Sequence, residues 1–175
     1  MAMTYNTIPA FVSGNILTAA QMNAIGANVN NYRVTPMCVL VSTGVQILPT
    51  GVPTALTYGA GSENVDTDAM HSIAVNTDRI TVVTAGVYAI TWHVDLAGSG
   101  AAGSRILIVL IKNDTQIMRT DGGNYAASSS MAYSGAATTP CDVGDYLYIA
   151  VLQISGGNRT VDTSSFAATW QGQVS

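Results

Sequence analysis

Few side chains in this 175-residue chain are equipped for chemistry, and those few stand apart. Within "TWHVDL" (91–96), Thr91, His93 and Asp95 recur at every second position. An imidazole beside a carboxylate is the pairing a general base uses. On a strand, however, a period of two puts all three on one face, and a polar row of that kind is the ordinary wet side of a sheet. His71 is distant in sequence, no G-x-S-x-G elbow is present, and no acid–base pair can be picked out. No catalytic residue is assigned, and the chain is expected not to be an enzyme.

A second cluster, "SENVDTD" (62–68), gathers Glu63, Asp66 and Asp68, oxygen ligands of the sort calcium takes. It lacks the twelve-residue loop with its central glycine and final glutamate, so a solvated acidic loop is the plainer reading beside calcium binding. Cys38 and Cys141 have no metal-type spacing; buried free thiols are expected, and a disulfide cannot be deduced. "CDVGDY" (141–146) reads as a turn in which Asp142 and Asp145 bond backbone amides. Met70, Met118 and Met131 read as core or interface filler, and no cofactor is implied. Two loops, "DGGNYAASSS" (121–130) and "SGGNR" (155–159), carry the small, Tyr- and Asn-containing chemistry of adaptable contact surfaces. Asp121, Asn124, Tyr125, Asn158 and Arg159 are the residues that would meet a host glycan or protein there; a plain surface loop is the alternative.

Composition narrows the setting. Charged residues make up 9% of the chain and hydrophobic ones 48%, with a mean hydropathy of +0.31. That is apolar for a freely soluble monomer, and it calls for a membrane segment or for burial against other subunits. The longest apolar run, "ILIVLI" (106–111), is far short of the roughly 18 to 20 residues a spanning helix needs. Burial against neighbouring subunits is therefore expected, without membrane insertion. The net charge is −4, and the single lysine and five arginines are scattered, so nothing presents the clustered cations that nucleic acid requires. The first cation is Arg33, so there is no basic start ahead of an apolar block; synthesis in a cytoplasm without a secretory signal is expected.

These side chains would be held by two unlike parts. Residues 1–35 contain one helix, predicted over 18–32. Thr18 followed by Gln21 forms a capping box, and Leu17 with Met22 a hydrophobic staple. Met22, Ile25, Val29 and Tyr32 make a short apolar stripe on a helix that Gly26 weakens by about 1 kcal/mol. So short a helix needs something to pack on. It either covers an open end of its own β-domain or, as the composition favours, packs on copies of itself or docks into a larger particle. Leu17, Met22, Ile25, Val29 and Tyr32 are its anchor residues.

Residues 36–175 read as strands broken by Gly, Pro, Asn and Asp. Predicted strands are 37–43, 45–48, 54–58, 71–76, 79–84, 85–98, 105–114, 116–120, 130–138, 145–154 and 164–172. In 85–98, Tyr88, Ile90, Trp92, Val94 and Leu96 face one way and the His93 row the other. "RILIVLIKND" (105–114) and "DYLYIAVLQI" (145–154) are apolar on both faces and need cover on both. A second sheet supplies one cover, and another subunit is expected to supply the other through Ile106, Ile108, Leu110, Tyr146, Tyr148 and Leu152. The fold class is all-β: an antiparallel jelly-roll sandwich of about eight to ten strands preceded by a short helix.

The pieces and their order resemble the complement C1q and tumour-necrosis-factor jelly-roll superfamily. "RITVVTAGVYAITWHVDL" (79–96) is similar to that family's Gly-Val-Tyr strand with alternating aromatics. "RILIVLIKND" is similar to its next strand, with Asn113-Asp114 where an Asn-Gly type turn is usual. "TTPCDVGDYLYIAVL" (138–152) resembles its Gly-Asp turn and long apolar strand, and "SSFAATWQG" (164–172) its closing strand, with Ala168 in a position where glycine is usual. Separately, "FVSGNILTAAQMNAIGANV" (11–29) resembles the Gly-x-x-Leu-Thr-Ala-x-x-Met-Asn opening of many tailed-bacteriophage tail and virion proteins. Together the resemblances imply a homotrimeric jelly roll carried on a virion and held there by residues 1–35. It would be a capsid decoration, head-fibre or tail-associated structural protein in contact with other virion proteins. The alternative is a receptor- or glycan-binding tail-fibre tip, a lectin-like adhesin; this would need a saturable glycan site.

Overall fold

The computed structural model describes residues 14, 16–33, 35–97, 104–122 and 130–173. Among these residues one helix, α1, spans Ala19–Arg33 and starts where the capping pair sets it. The Gln21 amide donates to Thr18 Oγ1 at 3.2 Å, and the Thr18 amide donates to Gln21 Oε1 at 2.8 Å. Two amides that the first turn leaves without helical partners are thus satisfied reciprocally.

Eleven strands follow: β1 Met37–Ser42, β2 Gln46–Leu48, β3 Thr54–Ala55, β4 Glu63–Asp66, β5 Arg79–Thr81, β6 Gly86–Ala97, β7 Arg105–Lys112, β8 Thr115–Gly122, β9 Met131–Cys141, β10 Tyr146–Ile154 and β11 Arg159–Gly172. One sheet has the order β4-β1-β11-β6-β9, with β2 also pairing β11; the other runs β3-β10-β7-β8, with β5 also pairing β10. The pairings are antiparallel, as expected for strands without crossover helices. Between the sheets lies one core. Tyr88, Ile90, Trp92, Val94 and Leu96 of β6 and Phe166, Ala168 and Trp170 of β11 meet Ile106, Ile108 and Leu110 of β7 and Leu147, Ile149 and Val151 of β10. Each large apolar side chain so buried contributes about 1.5–3 kcal/mol.

Two strand assignments change. Residues 71–76 are not a strand: Ser72 Oγ accepts the amides of Ala74 (3.3 Å) and Val75 (3.2 Å), Asn76 takes φ 53°, and Ile73 and Val75 face outward. The alternation of His, Ile and Val imitates a strand, but no neighbour offers a ladder and local hydroxyl–amide bonds win. Conversely, β4 lies inside the acidic motif. Val65 pairs with Val39 and Asp66 with Cys38 at a sheet edge, where charged side chains are tolerated.

Three tight places explain residues that composition alone leaves neutral. The β7–β8 turn puts Asn113 (φ 49°) and Asp114 (φ 60°) both in the left-handed region, the conformation a two-residue hairpin with native twist demands. Gly86 sits at φ +154°, and a Cβ there would run into the Trp170 indole and the Gly172 carbonyl; Trp170 Nε1 instead donates to Ala85 O at 3.1 Å. Gly135 on β9 lies directly opposite Trp92, whose indole fills the space a Cβ would take. Gly135→Ala is therefore expected to destabilise the fold by about 1–3 kcal/mol through overpacking. A calorimetric Tm unchanged from wild type would show that Trp92 is not seated over Gly135.

Asp145 ties two turns together. It accepts Asn113 Nδ2 at 2.6 Å, the Asp142 amide at 2.8 Å and Lys112 Nζ at 2.7 Å. Burial pulls its pKa upward, but the bonds from Lys112, Asn113 and the Asp142 amide outweigh it and hold the carboxyl below its ordinary 3.8. A depressed carboxylate stabilises the fold above its unfolded value, and that contribution is lost as pH falls through the lower folded value. Urea unfolding at pH 7 and pH 3 should show wild type losing more stability on acidification than Asp145→Asn. Equal losses would remove Asp145 from the acid response.

Candidate interaction surfaces

The two doubly apolar strands divide their side chains differently from the sequence-based expectation. Ile106, Ile108 and Leu110 are all fully buried in the protomer's own core and cannot meet a partner. The opposite row of β7 is Leu107, Val109 and Ile111, of which Leu107 is itself buried and Val109 and Ile111 are half-buried. The parity of a strand apolar on both sides is invisible in its own sequence; register with β10 decides it, Leu107 pairing with Leu152 and Val109 with Ala150. On β10, Tyr146, Tyr148 and Leu152 do face outward, with Leu147, Ile149 and Val151 inward.

At one end of this outer face Tyr146 and Tyr148 stack at 6.3 Å with 16° between their planes. Asp114 accepts both hydroxyls, at 2.7 Å from Tyr146 and 3.2 Å from Tyr148. The bond to Asp114 raises the Tyr146 pKa; for Tyr148 burial comes first and the same carboxylate adds to it. The Arg79 guanidinium lies 4.5 Å above the Tyr146 ring and is forked onto Asp78 at 3.2 and 3.4 Å. Aromatic and arginine side chains fixed in this manner, beside an aliphatic row, are the composition of a contact surface.

On the other sheet, β9 brings Ser134 across to His93. Nδ1 of His93 lies 2.8 Å from Ser134 Oγ, Nε2 lies 3.1 Å from Asp95 Oδ1, and Thr163 donates to Asp95 Oδ2 at 2.6 Å. The Thr163 bond, with a smaller contribution from His93, holds the Asp95 carboxyl below its usual range. Sequence reading missed Ser134 and Thr163 because neighbouring strands supply them. The connectivity of hydroxyl, imidazole and carboxylate resembles a proton relay. However, the His93 and Asp95 side chains are 39% and 38% exposed on a sheet face, where water competes. A cleft of about 420 Å³ does exist, lined by Ser42, Gln46, Thr57 and Ser62 among others, but it includes none of this relay.

The acidic motif is spent on the protein itself. Asp66 accepts the amides of Met70 and His71, both at 2.9 Å; Asp68 accepts Thr84 Oγ1 at 2.7 Å; Glu63 stands 3.3 Å from the buried His71 ring. Among the described residues no three His, Cys, Asp or Glu side chains are grouped to hold a metal ion. Cys38 and Cys141 are buried free thiols, with burial pushing Cys141 up to about 11. Met70 and Met131 lie in the core, and Met118 packs against it.

Leu17 (43%), just before the helix, and Met22 (52%) and Val29 (55%) on it are exposed, while Ile25 is half-buried; the side chain of Tyr32 lies outside the described residues. No residue of the helix joins the described core. Of the loop residues, Asn124 and Tyr125 lie outside the described residues and Asn158 is exposed. Asp121 is held by Arg105 (2.8 Å) and Arg119 (2.9 Å). Arg159 is not a loop residue at all: it opens β11 and is 2% exposed.

No known protein family and no curated protein matches this sequence. Solved structures do match the fold. The globular domain of zebrafish complement 1qA protein aligns with a TM-score of 0.59 and 16% identity, over 79% of this chain and 99% of that one. The Eiger TNF of S. frugiperda aligns with a TM-score of 0.58 and 14% identity, over 82% of this chain and 96% of that one. At such identities the likeness is one of architecture, and the architecture of this chain is the C1q/TNF-like jelly roll.

Proposed function

We propose that this chain is a non-enzymatic structural protein of a tailed-bacteriophage virion. Its β-domain assembles as a homotrimer, and residues 1–35 attach it to capsid or tail as a decoration, head-fibre or tail-associated module. The observation that carries the reading is the helix: it is capped at its start, yet its Met22 and Val29, with Leu17 just before it, are turned to solvent. A short helix with an uncovered apolar row is stabilised by what it docks on. The resemblance of residues 11–29 to virion-protein openings supports a virion as that body. Subunit contact is supported by the low charge content and by the aliphatic and tyrosine row on the outer face of β7 and β10. A non-enzymatic role agrees with the exposed setting of His93 and Ser134.

Light scattering of the full chain (18.1 kDa), and of a chain starting at Thr35, should give three times the respective chain mass in each case. A monomeric truncated chain would make the helix the trimerisation device and refute the β-domain as the assembling part. Particles assembled with Met22→Asp/Val29→Asp should lack the protein while its soluble trimer persists; wild-type incorporation would remove the helix from attachment. A hydrolase screen should find no turnover, and activity abolished by His93→Ala would overturn the non-enzymatic reading.

A further inference from the structure

The cleft beside β1 and β2 includes none of the residues assigned to assembly or to the His93 relay. Its volume of about 420 Å³ lies in the range that small-molecule sites occupy. One wall is the turn 43–45 between β1 and β2; the other is the chain at 57–62, between β3 and β4. Hydrogen bonds fix both walls. Gln46 of β2 reaches from the first to the second: its Nε2 donates to Ala55 O at 2.8 Å, and its Oε1 accepts the Thr57 amide at 3.1 Å. The Val41 amide donates to Ser62 O at 2.6 Å and the Ser62 amide to Gly59 O at 3.1 Å, while the Gly44 amide donates to Ser42 Oγ at 3.4 Å. The cleft is therefore formed in advance, which spares a ligand the cost of ordering loops.

Two glycines keep it open. A Cβ on Gly59 would meet nothing within 4 Å, and one on Gly44 would meet only Ser42 Oγ, at 3.8 Å. Neither residue takes a positive φ that other side chains avoid. Backbone conformation and packing, which account for Gly86 and Gly135, therefore do not account for these two. What their missing side chains provide is clearance, and glycine is the residue that lets a ligand approach the main chain.

The lining also specifies the ligand. No charged residue contributes to it, and the adjacent Glu63 is turned to His71. A charged ligand would find nothing there to pair with. Ser42, Thr43, Thr57 and Ser62 instead bring hydroxyls, each able to donate and to accept. The Gln46 carboxamide adds a second N–H and a second lone pair beyond the two bonds that hold it. Beside them Val45, 70% exposed, offers an apolar surface. Neutral donors and acceptors next to one aliphatic side chain match a molecule with hydroxyls around its rim and C–H bonds on its face. We infer that this cleft binds one neutral pyranose sugar, with its hydroxyls on the Ser, Thr and Gln46 side chains and its C–H face on Val45. The loops 121–130 and 155–159, where the sequence suggested glycan contact, supply none of the described lining. The site stands whether or not the chain is carried on a virion.

The test is saturation-transfer NMR on the full chain. The probes are the methyl glycosides of glucose, galactose, mannose and N-acetylglucosamine, with glucuronate and glucosamine as charged controls. At least one neutral glycoside should bind saturably and more tightly than either control. Gly59→Leu fills the cleft from a position where a Cβ meets no neighbour, so it should keep the wild-type Tm and lose the signal. Thr57→Val removes one exposed hydroxyl at nearly constant shape and should weaken apparent affinity about fivefold. Competition by an immobilised oligosaccharide ending in the same sugar would identify a glycan as the source; binding of the soluble glycoside alone would identify a free sugar, and either result supports the site. Saturable binding by none of the neutral glycosides would overturn the inference, as would binding confined to the charged controls. Undiminished binding in Gly59→Leu, or in Thr57→Val should the first variant unfold, would place the sugar elsewhere and overturn it too.

Discussion

The long ladder between β6 and β11 is the constraint on which the rest of the molecule depends. It runs from Thr160 opposite Ala97 to Gly172 opposite Val87 and joins strands far apart in sequence. Once it forms, β1 and β2 have one edge to pair with and β9 the other. The ladder also sets parity. Phe166 beside Trp92 and Trp170 beside Tyr88 point inward together, so the row containing Thr91, His93 and Asp95 must point outward. Glycine at 86 and 135 follows from the same ladder, since two indoles occupy the space their side chains would need. Loop closure over such separations must precede any return from burial, which makes this pairing the costly step of folding.

Low charge content shapes the remainder. With ten acidic residues and six basic ones, nearly every carboxylate has a defined task. Several of these tasks organise backbone rather than balance charge: Asp66 gathers the amides of Met70 and His71, and Asp145 locks the β7–β8 and β9–β10 turns together. The surfaces left over are uncharged to an unusual degree. One is an aliphatic and tyrosine row on β7 and β10; the other is a field of small and hydroxyl-bearing residues around His93.

Much of the architecture was legible in the residues. The capping box placed the helix start, because Thr18 and Gln21 act on their own backbone. The alternation in 85–98 placed β6 and its inward face, because a long strand with one wet side writes its period into the sequence. The Asn113-Asp114 hairpin was marked only by the resemblance; read alone, 105–114 ran as one strand, whereas β7 ends at Lys112. Less was legible where a strand is apolar on both sides: Ile106, Ile108 and Leu110 looked as available as Leu107, Val109 and Ile111. The segment 71–76 alternated like a strand and became a hydroxyl-held turn, while Glu63–Asp66 looked like a loop and became an edge strand. Both turned on whether a neighbour stood within ladder distance, and sequence order does not contain that.

The residues by themselves determined the fold class, the capped helix, the principal strands and the scarcity of charge, because each follows from local backbone preference or from composition. Only the tertiary structure decided which face of β7 looks inward, that Ser134 and Thr163 would join His93 and Asp95, and that Arg159 would open a strand with its guanidinium buried. The physical reason is common to all three. Each depends on register between strands distant in the chain, and a shift of one residue in that register would exchange the two faces.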